Sequence, residues 1–208
     1  MKVLKFGGSS VANSENIQKV LAIVKQESKN EKVAVVVSAF GKTTDQLISA
    51  GNKALKNIAD AKETLETIKE LHDQIITDLI TTHKKEVRSE VADLFKKLLS
   101  IYEGLYLLQE LSDKTLAKIS SFGERLSSLI IANAAKELFD ATHEESRKLI
   151  TTNNDYLNAQ VNFKITDVNI TSFFDKNKHQ VVFLGGFISS NSNHETTTLG
   201  RGGSDYSA

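Results

Sequence analysis

Two glycine-bearing segments near opposite ends of the chain carry residue types suited to holding an anion. Lys5-Phe6-Gly7-Gly8-Ser9-Ser10 puts a cation at the end of an apolar run and follows it with two residues lacking side chains, so that backbone N–H groups can approach a phosphate. Its spacing is neither the GxxxxGK[ST] of P-loop sites nor the GxGxxG of dinucleotide sites. Two readings therefore stand side by side: a phosphate cradle made of Lys5, Gly7, Gly8 and Ser9, or a tight structural turn. Gly200-Arg201-Gly202-Gly203-Ser204-Asp205 offers a guanidinium, three conformationally permissive positions and a carboxylate. A guanidinium in so bare a neighbourhood suits bidentate pairing with a carboxylate or phosphate. Ser204 and Asp205, taken alone, read equally well as an N-cap and the first turn of a helix. Two such loops at strand ends suggest one shared site.

The elements that must position these loops follow from hydrophobic spacing. Val3, Leu4 and Phe6 form a short apolar run stopped by Gly7-Gly8, and Ile17, Val20, Leu21 and Val24 recur at helical spacing, which predicts strand, turn, helix. Residues Lys32 to Ser38 (KVAVVVS) are β-branched without polar alternation, as in a parallel strand buried on both faces. From about Thr43 to Tyr106 helical spacing prevails, through Leu47, Leu55, Leu65, Ile75, Val91, Leu98 and Tyr102, so a helical excursion over about 43–120 is expected. Another helix is predicted from Phe122 to Phe139, then a short segment at Ala141–Ile150 and a polar turn at Thr151–Asp155. Gln180–Phe187 (QVVFLGGF) is a second buried strand, and a polar loop, SSNSNHETTT, leads into the second glycine segment. This alternation predicts an α/β architecture with a mostly parallel sheet.

Composition narrows the function classes. The chain has 208 residues, 40% of them hydrophobic, enough to bury a core as one domain. Lys plus Arg and Asp plus Glu both total 26, so no overall field recruits nucleic acid or an anionic membrane. The HKKEVRSE stretch at His83–Glu90 reads as a solvated helix face or helix junction, not a nucleic-acid patch. With no cysteine there is no disulfide, thiolate metal site or Cys nucleophile, which fits a reducing compartment. The lack of a long apolar run and the strand-like opening predict neither a membrane span nor export, and so a cytoplasmic protein. His72, His83, His143, His179 and His194 lack ligand spacing and are read as structural or exposed, with no protein-held metal site proposed.

Four segments in order, KFGGSSV (Lys5–Val11), VVVSAFGKTTDQL (Val35–Leu47), FGERLSS (Phe122–Ser128) and TTTLGRGGSDYSA (Thr196–Ala208), give the sequence a resemblance to the aspartate kinases that spans nearly the whole chain. The resemblance implies a three-layer α/β/α amino-acid kinase fold. It implies ATP-dependent phosphorylation of the L-aspartate side-chain carboxylate to 4-phospho-L-aspartate, the first step of lysine, threonine and methionine biosynthesis, with ATP and Mg²⁺ as cofactors. By the same resemblance Lys5 contacts the transferring phosphate, Ser38, Thr44, Glu124, Phe187, Arg201 and Ser204 line the aspartate pocket, and Asp205 helps organise the catalytic cations. Read alone, Glu124 is an ordinary helix-surface charge, and Ser38 and Thr44 are a strand end and a helix cap. Within the constellation, Arg201 suits the α-carboxylate of the substrate and Glu124 its ammonium. An aspartate side chain ionises near a pKa of about 3.9, so the nucleophile is a carboxylate at neutral pH and needs no general base.

The resemblance further implies that residues 1–208 are the N-terminal portion of a catalytic domain. The adenine and ribose contacts and the regulatory domains would lie beyond Ala208, leaving this chain weak or inactive alone. The full-length parent would be a homo-oligomer, either monofunctional or fused to homoserine dehydrogenase. Competing readings are a related kinase acting on glutamate, acetylglutamate, carbamate or a nucleoside monophosphate, a non-catalytic aspartate-sensing module, and a helical interaction module over Thr43–Tyr106.

Overall fold

The apolar runs from the two ends of the chain become neighbours in one sheet. The computed structural model describes residues 1–200 and 202–208. Strands β1 (Lys2–Phe6), β2 (Val33–Val37), β3 (Ala141–Glu144) and β5 (Val181–Gly185) pair in the order β1-β2-β5-β3, every pair parallel. Register aligns Phe6 with Val37 and Val37 with Gly185, so three adjacent strands end at one edge. All five residues of β2 are buried, which is why its sequence shows no polar alternation.

Helices cover both faces. Val33, Val35, Val37, Val181 and Phe183 join a core with α1 (Ser14–Glu27) and with the helical lobe of α2 (Thr43–Ala54), α3 (Ile58–Leu79), α4 (Lys84–Leu108) and α5 (Asp113–Lys136). On the opposite face Ala34, Val36 and Leu184 look across an apolar cavity of about 90 Å³ to Ile170 and Phe174 of α6 (Phe163–Lys176). The result is the expected three-layer arrangement. The apolar stripes of the lobe are spent on this core, and Tyr102, fully buried in α4, donates its hydroxyl to Leu47 O at 2.9 Å. His83–Glu90 is a helix junction, as expected: α4 starts at Lys84, and Arg88 grips Asp73 of α3 at 2.7 and 3.0 Å.

A smaller sheet joins β4 (Thr151–Thr152), β6 (Ile188–Asn191) and β7 (Thr196–Thr198), with β4 and β6 parallel and β6 and β7 antiparallel. Here the structure departs from the sequence reading. The polar loop SSNSNHETTT is the β6–β7 hairpin, whose buried hydroxyls satisfy each other: Ser189 Oγ lies 2.9 Å and Thr152 Oγ1 2.7 Å from Thr197 Oγ1. Helix α6, absent from that reading, follows the Asn162 cap, whose Oδ1 accepts from Ile165 N at 3.3 Å. Only Thr166 of α6 is fully buried, so its apolar residues do not mark one clean stripe. The helix expected at Phe122–Phe139 is the later part of α5, which begins at Asp113. Among the described residues no helix is long and apolar enough to cross a membrane.

Candidate active site

The strand ends aligned by the register place the sequence-predicted residues at one edge, where open parallel sheets bind ligands. After β1, the backbone turns through Gly7 into a 3-10 turn at Gly8–Val11. The two readings of this segment divide between its glycines. Gly8 is structural: a Cβ there would stand 3.0 Å from Gly41 O and 3.1 Å from Ala39 O, and its carbonyl accepts from Gly41 N at 3.2 Å. Gly7 has only Lys5 Nζ nearby, 3.7 Å from where a Cβ would lie, so the ammonium meets bare backbone. Ser9 is exposed, and its carbonyl accepts from Asn16 Nδ2 at 2.9 Å. Lys5 Nζ itself lies 2.6 Å from Asp205 Oδ1, uniting the first strand with α7 (Gly203–Ser207).

The end of β2 meets α5. Ser38 N donates to Phe6 O at 3.1 Å, its carbonyl accepts from Ser127 Oγ at 2.9 Å, and its hydroxyl donates to Ser204 Oγ at 3.1 Å. Glu124 is 5% exposed because α5 runs through the interior, not along the surface, which corrects the reading of this residue as ordinary surface charge. Its Oε1 accepts from Ala39 N at 3.3 Å, whereas Oε2 has no partner among the described residues. Desolvation pushes the Glu124 carboxyl up to about 8, against the weaker pull of backbone N–H donors. A buried carboxyl oxygen without a partner among the described residues is a candidate ligand contact. Thr44, half-buried in the first turn of α2, faces the same stretch of α5: a Cβ on Gly123 would fall 2.9 Å from Thr44 Oγ1 and 2.7 Å from Ala39 Cβ.

The end of β5 supplies the third wall. Gly186 lets α7 approach, since a Cβ there would stand 2.7 Å from Ser204 Cβ. Phe187 follows with φ 66°, left-handed for a bulky residue. Ser204 and Asp205 therefore do more than start a helix: the N-cap of α7 is Gly202, without a side-chain cap bond, and both side chains reach other elements. The structure thus brings Lys5, Gly7, Ser38, Glu124, Phe187, Ser204 and Asp205 to adjoining strand ends, with Thr44 beside the Glu124 turn. Arg201 lies outside the described residues. The sequence reading missed Gly123, Ser127 and Gly186, which seat the pocket residues without a distinctive chemistry of their own. The FGERLSS and QVVFLGGF segments contain all three, so their position was legible and their role was not.

The whole chain, residues 1–208, matches the model of the amino acid kinase family. It is 34% identical over 99% of its length to an aspartokinase of Chlamydia pneumoniae and covers 43% of that protein. It is 30% identical to a bifunctional aspartokinase/homoserine dehydrogenase of Buchnera aphidicola, covering 100% of this chain and 26% of that one. Among solved structures, E. coli aspartokinase III in complex with aspartate and ADP superposes with a TM-score of 0.90 at 27% identity, over 100% of this chain and 45% of the other. The chain thus spans less than half the length of these relatives. The family match over every position, together with the parallel strand ends and their glycine turns, shows that the chain belongs to the amino acid kinase family.

Proposed function

We propose that the chain forms the aspartate-binding and phosphate-facing part of an aspartate kinase, which transfers the γ-phosphoryl group of ATP to the side-chain carboxylate of L-aspartate. The observation that carries this reading is Glu124, a buried carboxyl with one oxygen unpartnered among the described residues, at the strand ends that also hold Lys5 and Asp205. A free amino acid brings the ammonium that such a carboxyl lacks, and acetylated or non-amino substrates do not. The similarity to aspartokinases, including one solved with aspartate and ADP, supports the choice of substrate and nucleotide.

In this reading Glu124 holds the ammonium and Arg201 the α-carboxylate, while the hydroxyls of Ser38, Thr44 and Ser204 orient the reacting side chain with Phe187 as a wall. A carboxylate oxygen attacks the γ-phosphorus, the bond to the ADP oxygen breaks, and the products are 4-phospho-L-aspartate and ADP. Because two anions must meet, catalysis is positioning plus charge cancellation. Lys5, with Gly7 leaving its ammonium accessible, neutralises the transferring group. Asp205 fits a Mg²⁺ carried by the nucleotide: its carboxylate is 71% exposed, and no cluster of three or more His, Asp or Glu among the described residues forms a dedicated metal cage. Magnesium typically uses one or two carboxylates plus phosphate oxygens, and when bound it neutralises charge on the phosphates. The reaction opens lysine, threonine and methionine synthesis.

Trapping the product tests this reading. For the complete kinase with Mg-ATP, L-aspartate and hydroxylamine, the acyl phosphate is expected to appear as aspartyl hydroxamate, and Lys5→Ala to abolish it. Equal hydroxamate from L-glutamate would overturn the substrate, and ATP consumption independent of any amino acid would overturn the reaction.

A further inference from the structure

We infer that Ser207 is a positioning residue, whose hydroxyl latches the strained turn at Phe187 to the helix bearing Ser204 and Asp205. The inference deepens the proposed function and rests on it for its substrate arm. Its starting point is backbone strain. Among the described residues three non-glycines have positive φ: Gln109 at 53°, His194 at 59° and Phe187 at 66°. Gln109 ends α4 and His194 sits in the β6–β7 turn, two ordinary places for a left-handed residue. Phe187 has no such excuse. It lies between β5 and β6, and Ile188 N donates to Gly186 O at 2.7 Å. That bond closes a three-residue turn around a left-handed centre, the rarer and strained form of the γ-turn. Strain of this kind persists only where neighbours over-determine it, and it concentrates at ligand sites.

The neighbours that hold Phe187 come from the second glycine segment. Leu199 N donates to Phe187 O at 2.9 Å. Gly203 lies under the ring, where a Cβ would stand 3.0 Å from Phe187 Cδ2 and 3.2 Å from its Cα. The Phe187 N–H donates to Ser207 Oγ at 2.9 Å, and the same hydroxyl donates to Gly203 O at 2.7 Å. Among the described residues Ser207 Oγ is thus the one side-chain acceptor of the strained amide, and its own proton ties it to the first residue of α7. Ser204 stands on Gly186 one residue before Phe187. Turn and helix are therefore fastened at two successive points, by contact at Gly186 and by hydrogen bond at Phe187. Between those points α7 carries Ser204 to Ser38 and Asp205 to Lys5. Without the hydroxyl, Phe187 can relax to negative φ, and both its ring and α7 lose their fixed place beside the substrate.

Two variants test the latch. Ser207→Ala removes the hydroxyl, and Ser207→Thr keeps it with the same reach back to Gly203 O. Amide hydrogen exchange at Phe187 is expected to be slow in the wild type and Ser207→Thr and to quicken in Ser207→Ala. L-aspartate affinity by calorimetry should fall about five- to tenfold in Ser207→Ala, as for one lost hydrogen bond, and recover in Ser207→Thr. Unchanged exchange at Phe187 in Ser207→Ala overturns the latch, whatever aspartate does. Quickened exchange with unchanged affinity overturns its positioning role and leaves a local structural bond. A wild type with a protected Phe187 amide and no affinity for L-aspartate overturns the substrate reading instead, and the latch then stands on the exchange data.

Discussion

Lys5 Nζ lies 2.6 Å from Asp205 Oδ1, so strand β1 and helix α7 meet through the two charges that the proposed function assigns to the phosphate side of the site. Lys5 is 28% exposed and Asp205 71%, a setting in which an ion pair contributes little to folding. Lys5→Ala is therefore expected to leave the thermal midpoint within about 2 °C while phosphoryl transfer by the complete kinase falls at least about a hundredfold. Scanning calorimetry beside turnover measurements checks the split. A large fall in midpoint would assign Lys5 to folding instead.

In the proposed function Glu124 makes proton release part of aspartate binding. Desolvation pushes its carboxyl up to about 8, so the ligand-free group carries a proton at neutral pH, and an arriving ammonium favours the ionised form. Binding of L-aspartate should release close to one proton per site, and affinity should rise as pH rises towards 8. Calorimetry in two buffers of different ionisation enthalpy measures the release. Glu124→Gln should remove it and weaken binding about ten- to hundredfold. Heat that does not change with buffer would mean that Glu124 is already ionised.

The pH dependence of stability includes two opposed contributions from buried groups of the core. His72 is fully buried between the rings of Phe40 and Phe95, with Nδ1 2.7 Å from Ile68 O and Nε2 unpartnered among the described residues, and burial lowers it to about 4. The unfolded chain then binds the extra proton between pH 6.5 and 4, so stability is lost as pH falls through that window, by about 3 kcal/mol at most. Glu124 acts the other way: its folded form holds a proton that the unfolded form releases, so stability falls as pH rises from about 4.5 towards 8. Urea unfolding from pH 4 to 8 should show His72→Leu flattening the acid limb and Glu124→Gln the neutral one. A limb left unchanged by its variant would show that another group titrates there.

Two glycine-to-alanine changes should move in opposite directions. At Gly123 the new Cβ meets Ala39 Cβ at 2.7 Å and Thr44 Oγ1 at 2.9 Å, an overpacked site expected to cost about 1–3 kcal/mol and to shift Glu124 from Ala39 N. Gly104, inside α4, has nothing within 4 Å of a Cβ, so Gly104→Ala should stabilise by about 0.5–1 kcal/mol. Thermal denaturation of both variants decides the matter, and equal effects would mean that α5 does not press on α2 as closely as the distances imply.

Legibility followed chemistry and periodicity. β1, β2 and β5 could be read because parallel strands buried on both faces leave unbroken apolar runs, and the lobe because its stripes recur at helical spacing. Helix α6 was hidden because Phe163, Ile165 and Val168 stay exposed, so no single face is apolar. The β6–β7 hairpin was hidden because it buries hydroxyls that bond one another in place of hydrocarbon. Glu124 looked like surface charge because its burial depends on α5 crossing the interior, a tertiary fact that local sequence does not carry. The latch at Phe187 was invisible for a related reason: nothing in a phenylalanine announces a left-handed backbone.

The most direct test is calorimetric titration of the chain with L-aspartate, L-glutamate and N-acetyl-L-glutamate. Saturable heat with L-aspartate, little with L-glutamate and none with the acetylated compound, which lacks the ammonium that the proposed function pairs with Glu124, is the predicted result, with L-aspartate affinity lowered about ten- to hundredfold in Glu124→Gln. Preferential binding of N-acetyl-L-glutamate, or L-aspartate binding indifferent to Glu124→Gln, would contradict the placement of a free amino acid at these strand ends.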